Sequence, residues 1–170
     1  GLLVAVGGAL VGGSRLALAP RFSASGFWPD VRRYGADVVF YVGELCRYLV
    51  VAPPSGDERN HPVRKFVGNG MRPEVWRRLL QRFGDIQVVE FYGSTEGNIV
   101  IGNVGGEKIG SVGQPLAGAG EVALVKYDAS LGQLVRDEGG HGTLCEAGET
   151  GLLVARIEEE QPLARFDGYD

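Results

Sequence analysis

The sequence predicts an α/β fold: a parallel sheet with flanking helices, followed by a smaller antiparallel β-rich part. Three observations carry that expectation. Between residues 15 and 91 short apolar runs alternate with amphipathic stretches, in the order strand, helix, strand, helix, strand, helix, strand. Such alternation favours a parallel sheet covered by helices. From about residue 105 the texture changes to short β runs divided by glycine turns, the mark of hairpins. Finally, 170 residues with 44% hydrophobic and 22% charged side chains suffice for a real core and do not describe a disordered chain. The expected division is an α/β subdomain at 1–104 and a β-rich subdomain at 105–170.

The elements follow in order. Residues 1–12, "GLLVAVGGALVG", read as a buried helix of small and apolar residues. "RLALA" reads as a short strand. Ser23 is placed to cap a helix over "ASGFWPDVRRYG", with Phe27, Val31 and Tyr34 on one face and Gly35 as its stop. Pro29 inside it is a weakness that would kink or shorten it. "DVVFYV" is a buried strand and "GELCRYLVV" a helix that ends before Pro53. "PPSGDERNHP" is a polar loop, and "VRKFVG" the next strand. Pro73 opens the helix "PEVWRRLLQRFG" at the position where its missing N–H is harmless. Val75, Trp76, Leu79, Leu80 and Phe83 form its apolar face. "IQVVEF" is the following strand. Beyond it, "GEKIGSVGQP", "GEVALVKYD", "GQLVRD" and "GETGLLVARI" supply the β runs of the second part.

Composition excludes several classes. A net charge of -4 leaves no electrostatic footprint for nucleic acid. The 13-residue apolar start is too short to cross a bilayer and has no basic leader. Cys46 and Cys145 suit a reducing compartment better than a disulfide scaffold, and Cys46 reads as an inert core thiol. His61 and His141 read as surface residues, since no metal-ligand spacing surrounds them. Arg32, Arg33, Arg77 and Arg78 are expected to face water, with contact to a membrane surface as the alternative.

Parallel sheets bind ligands beyond the carboxyl ends of their strands. Two glycine-containing stretches fall there: "GNGMR" at 68–72 and "YGSTEGN" at 92–98. Gly93 and Gly97 let backbone N–H groups approach an anion. Thr95 offers a hydroxyl to a phosphate oxygen. Glu96 is a hard oxygen ligand suited to Mg²⁺. Tyr92 offers a flat face to a purine. By residue type alone, the same stretch also reads as a plain turn with Tyr92 in the core and Glu96 in solvent. Ser94 has no His and acid to match it, so serine hydrolysis is not expected.

The ordered set "GELCRYLV", "GNGMRPEVW", "EFYGSTEGN" and "GSVGQP" resembles the fatty-acid transport protein and very-long-chain acyl-CoA synthetase family of the adenylate-forming enzymes, over nearly the whole chain. The resemblance implies an enzyme that activates a long-chain fatty acid with ATP to an acyl-adenylate, then passes it to coenzyme A. It implies roles for Thr95 on the transferring phosphate and for Glu96 as Mg²⁺ ligand. Gly68, Asn69, Gly70, Tyr92, Gly93, Ser94 and Thr95 would bind the nucleotide, with Tyr92 stacked on adenine and Asn69 near its amine. The family's lysine-bearing phosphate loop, ribose-binding aspartate and C-terminal lysine domain have no counterpart in these residues. The chain is therefore expected to be a central fragment, inactive alone, of a cytoplasmic protein with peripheral membrane contact. An adenylating domain for another acid and a non-catalytic lipid-binding protein are the competing readings.

Overall fold

The computed structural model describes residues 3–93, 97–160 and 164–166. The chain divides into two compact units, Gly1–Phe91 with Gly102–Gly113, and Tyr92–Ile101 with Gln114–Asp170.

The first unit opens on a π-helical turn, Leu3–Gly7, continued by α1, Gly8–Val11. It is helical as expected but not buried: Leu10 is 77% and Val11 94% exposed. The expected strand at "RLALA" does not form, because its alternating residues find no strand to pair with. Helix α2 runs Phe27–Tyr34 and stops at Gly35, which takes the left-handed conformation at φ 61°. Ser23 does not cap it directly; its hydroxyl accepts the Gly26 amide in the preceding turn. Pro29 lies in the first turn of α2, where helix N–H groups have no partner in any case, so it costs nothing. Trp28 and Val31 are the buried residues, while Tyr34 is 54% exposed.

Strand β1, Val38–Val42, leads directly into α3, Gly43–Val51. Strand β2, Lys65–Asn69, leads through three residues into α4, Pro73–Phe83, and strand β3 follows at Gln87–Gly93. Strands β1, β2 and β3 are parallel, with Tyr41 opposite Gly68 and Gly68 opposite Glu90. Each strand thus returns through a helix, as a parallel pair requires. Pro73 sits at the start of α4, and the face read from the sequence is the one that packs. Trp76, Leu79 and Phe83 are at most 2% exposed, and they meet Phe66, Leu49 and Cys46 in the core. Burying each large side chain contributes about 1.5–3 kcal/mol.

The loop between α3 and β2 is built in, not merely polar surface. Val63 N–H donates to His61 Nδ1 at 3.2 Å, so His61 Nε2 carries the hydrogen and donates to the Phe83 carbonyl at 3.1 Å. The His61 ring stacks on Trp28 with centroids 4.4 Å apart. His61 is therefore a half-buried structural residue, which corrects its reading as a surface group. Arg32 likewise donates to the carbonyls of Asp57 and Asn60.

Strand β4, Val100–Asn103, and the two-residue β5, Gln114–Pro115, complete a five-stranded sheet in the order β1-β2-β3-β4-β5. In the second unit β6, Val122–Asp128, pairs antiparallel with β7, Gln133–Leu134, on one side and with β8, Gly151–Ala155, on the other. Asp128 fixes the β6–β7 turn by accepting the Ser130 and Leu131 amides. The fold is the expected one: helix-flanked parallel strands, then a smaller antiparallel β part. Among the described residues no helix is long and apolar enough to cross a membrane.

Candidate nucleotide-binding site

The carboxyl end of β2 carries Gly68 and Asn69, and Gly70 and Met71 follow. Two close approaches shape this corner. A side chain at Gly43 would put its Cβ 1.7 Å from the Gly70 carbonyl oxygen, so the start of α3 must be glycine for the loop to lie where it does. Gly70 itself is at φ 75°, a conformation that L side chains rarely adopt. Met71 is buried beneath, whereas Asn69 and Gly70 are exposed.

Beside this corner lies Glu90, a carboxylate only 5% exposed. Its Oε1 accepts the Tyr41 hydroxyl at 2.5 Å and the Met71 amide at 2.8 Å. Its Oε2 accepts the Gly70 amide at 3.0 Å. An isolated buried charge is costly; three donors make this one tolerable. Burial, and then the Glu90 carboxylate, raises the Tyr41 phenol far above its ordinary value, so it remains a donor. Burial, followed by the charge of Glu90, likewise lifts the Cys46 thiol, which makes it the inert core group the sequence suggested.

The sequence reading missed Glu90, although a signal was present. Along "IQVVEF" it alternates in phase with Val88, so the period of two puts a carboxylate on the buried face, where it must find donors. Asn98 was missed as well, and no pattern announced it. It is 7% exposed, and its Nδ2 donates to the carbonyls of Arg156 and Ala164, both at 3.1 Å. This ties residue 98 to a distant part of the second unit.

Tyr92 and Gly93 are the last two residues of β3. Tyr92 is 49% exposed, so its ring is not in the core, contrary to the plain-turn reading. Among the described residues, a Cβ at Gly93 would meet nothing nearer than the Ile99 carbonyl oxygen at 3.6 Å. Among the described residues, neither crowding nor a positive φ demands glycine there. Ser94, Thr95 and Glu96 lie outside the described residues. Among the described residues no group of three or more His, Cys, Asp or Glu side chains is arranged to hold a metal ion.

The family of AMP-binding enzymes matches residues 1–154. The chain is 45% identical to human long-chain fatty acid transport protein 1, over 99% of its own length and 26% of the human protein. It is 44% identical to rat long-chain fatty acid transport protein 2, covering 99% of this chain and 27% of the rat protein. It thus spans about a quarter of the length of these curated relatives. In fold it is similar to ATP-bound MatB from Rhodopseudomonas palustris, with a TM-score of 0.69 and 21% identity over 90% of this chain and 28% of that one. It is similar also to the O-succinylbenzoate coenzyme A synthetase MenE from Bacillus subtilis in complex with AMP, with a TM-score of 0.61 and 20% identity over 91% of this chain and 29% of that one.

Proposed function

This chain belongs to the AMP-binding enzyme family, and from that premise we propose that it is part of an ATP-dependent ligase that joins long-chain fatty acids to coenzyme A. The observation that carries the nucleotide half of this reading is the exposed ring of Tyr92 at the carboxyl end of a parallel strand. The acid half rests on the similarity to long-chain fatty acid transport proteins along 99% of the chain.

In the proposed reaction a carboxylate oxygen of the acid attacks the α-phosphorus of ATP. The bond to pyrophosphate breaks, and its electron pair leaves with pyrophosphate. The thiolate of coenzyme A then attacks the acyl carbonyl and AMP departs. Tyr92 holds the adenine face, and Gly68, Asn69 and Gly70 border its edge. Gly93 and Ser94 are assigned to nucleotide binding, and Thr95 donates to an oxygen on which charge builds. Glu96 is the residue that would hold Mg²⁺. Its oxygen chemistry suits that ion, and the buried Glu90 is not available for the task, its oxygens being taken by Tyr41, Gly70 and Met71. When bound, Mg²⁺ neutralises charge on the transferring phosphate.

Tyr92→Ala in a full-length protein carrying this segment is expected to weaken ATP binding by about 1–3 kcal/mol, the worth of one stacked base. Fatty-acid affinity should hardly change, and Tyr92→Phe should be mild. Titration with ATP checks this; a Phe variant as damaged as the Ala variant would assign the role to the hydroxyl. The substrate class is tested by thioester formation with labelled acids of graded chain length. Preference for long-chain acids is expected. Equal or better turnover of an aryl or short acid would move the chain to another ligase of the family.

A further inference from the structure

We propose that Glu90 is the positioning residue of the loop that borders the adenine: its buried carboxylate fills the anion-binding nest at Gly70–Met71 and so fixes the loop as a neutral edge for a base. The inference rests on the reading of residues 68–70 as the adenine edge. Two successive backbone N–H groups at a residue of positive φ form a concavity that attracts anions. Here the Gly70 and Met71 amides both point to one carboxylate, at 3.0 and 2.8 Å. The donors that a glycine loop would offer to a phosphate are therefore already used within the protein. The loop is short, three residues from β2 to α4, and it is held on two sides. Glu90 grips its amides, and the missing side chain of Gly43 admits the Gly70 carbonyl. Tyr41 supplies the third donor and keeps the carboxylate aimed. Asn69 is left exposed at the rim, with its backbone set by its neighbours.

The chemistry of the conservative replacement makes a sharp test. Glutamine keeps the shape of Glu90 but has one acceptor oxygen. If that oxygen serves Tyr41 and Met71, its amide faces the Gly70 N–H, donor against donor, and that bond is lost. In a full-length protein carrying this segment, Glu90→Gln is expected to raise KM for ATP about tenfold, the worth of one hydrogen bond to a charged acceptor. The kcat at saturating ATP and the KM for the acid should stay near their original values. The preference for ATP over GTP in kcat/KM should fall, because the loop borders the part of the ring where the two purines differ. Tyr41→Phe removes one donor and leaves both backbone bonds, so a smaller rise in KM for ATP is expected; this variant decides the matter if Glu90→Gln does not fold. A folded Glu90→Gln protein with unchanged KM for ATP and unchanged purine preference overturns the proposal. So does a uniform loss of kcat with both KM values and the purine preference unmoved, which is the mark of a purely structural role. Where wild-type protein itself shows no ATP-dependent turnover, the ligase reading fails first and this inference falls with it.

Discussion

Arg82→Met is expected to destabilise the first unit by about 3–5 kcal/mol, the usual consequence of removing one partner from a largely buried ion pair. Arg82 stands in the last turn of α4 and joins that helix to the α3–β2 loop and to the end of α3. Its Nε donates to Glu58 Oε2 at 2.9 Å, and its Nη2 bonds the other carboxylate oxygen. Its Nη1 reaches the carbonyls of Leu49, Val50 and Ala52 at 3.3, 3.0 and 2.6 Å, at the end of α3. The two side chains are 18% and 12% exposed, so water does little to screen or replace them. Methionine fills the space of the aliphatic stem but strands a carboxylate and the last carbonyls of a helix. Trp28 and Trp76, both buried in the same unit, report unfolding by fluorescence in denaturant. A loss below about 1 kcal/mol, the value of an exposed pair, would show that the pair is solvated instead.

The same pair sets a pH dependence. The hydrogen bond from Arg82 holds the Glu58 carboxyl below its ordinary value, with help from the Ser55 amide. A depressed folded-state value means that the contribution is present above the unfolded value and is lost as pH falls through the folded one. Wild-type stability should therefore decline below about pH 4, and the decline should be shallower in Arg82→Met. Equal acid slopes would contradict the assignment.

Glu96→Gln, in a full-length protein carrying this segment, is expected to lower adenylation about a hundredfold or more, since metal assistance to phosphoryl chemistry is worth several kcal/mol. Nucleotide affinity should suffer far less, because the amide keeps the shape and loses only the charge that attracts Mg²⁺. Pyrophosphate exchange followed against magnesium concentration separates the two effects. An unchanged rate with an unchanged magnesium midpoint would remove Glu96 from the list of ligands.

The parts of the fold that the sequence revealed are those where local pattern and packing agree. In α4 the proline at the first turn, the spacing of Val75, Trp76, Leu79 and Phe83, and the glycine stop all describe one helix, and the core accepts it. In α3 the run from Gly43 to Val51 ends ahead of Pro53 as expected. "RLALA" shows the limit of pattern: alternation makes a strand only where a neighbour completes the hydrogen-bond ladder. Strand β4 escaped notice because four residues with a glycine, "VIGN", carry too little periodicity. At the candidate site, residue types marked Tyr92, Gly68 and Gly70, whereas the internal partner of the loop did not stand out. The period of two along "IQVVEF" turns Glu90 inward, but its partners Tyr41, Gly70 and Met71 come around it only when β1, β2 and β3 lie side by side. Hydrogen bonds across 19 to 49 residues of sequence leave no short-range trace.

ATP–pyrophosphate exchange by a full-length protein carrying this segment tests the central claim most directly. The account predicts incorporation of labelled pyrophosphate into ATP that requires both Mg²⁺ and a long-chain fatty acid, and that precedes any need for coenzyme A. A well-folded full-length protein that binds the fatty acid yet supports no exchange with it would contradict the account.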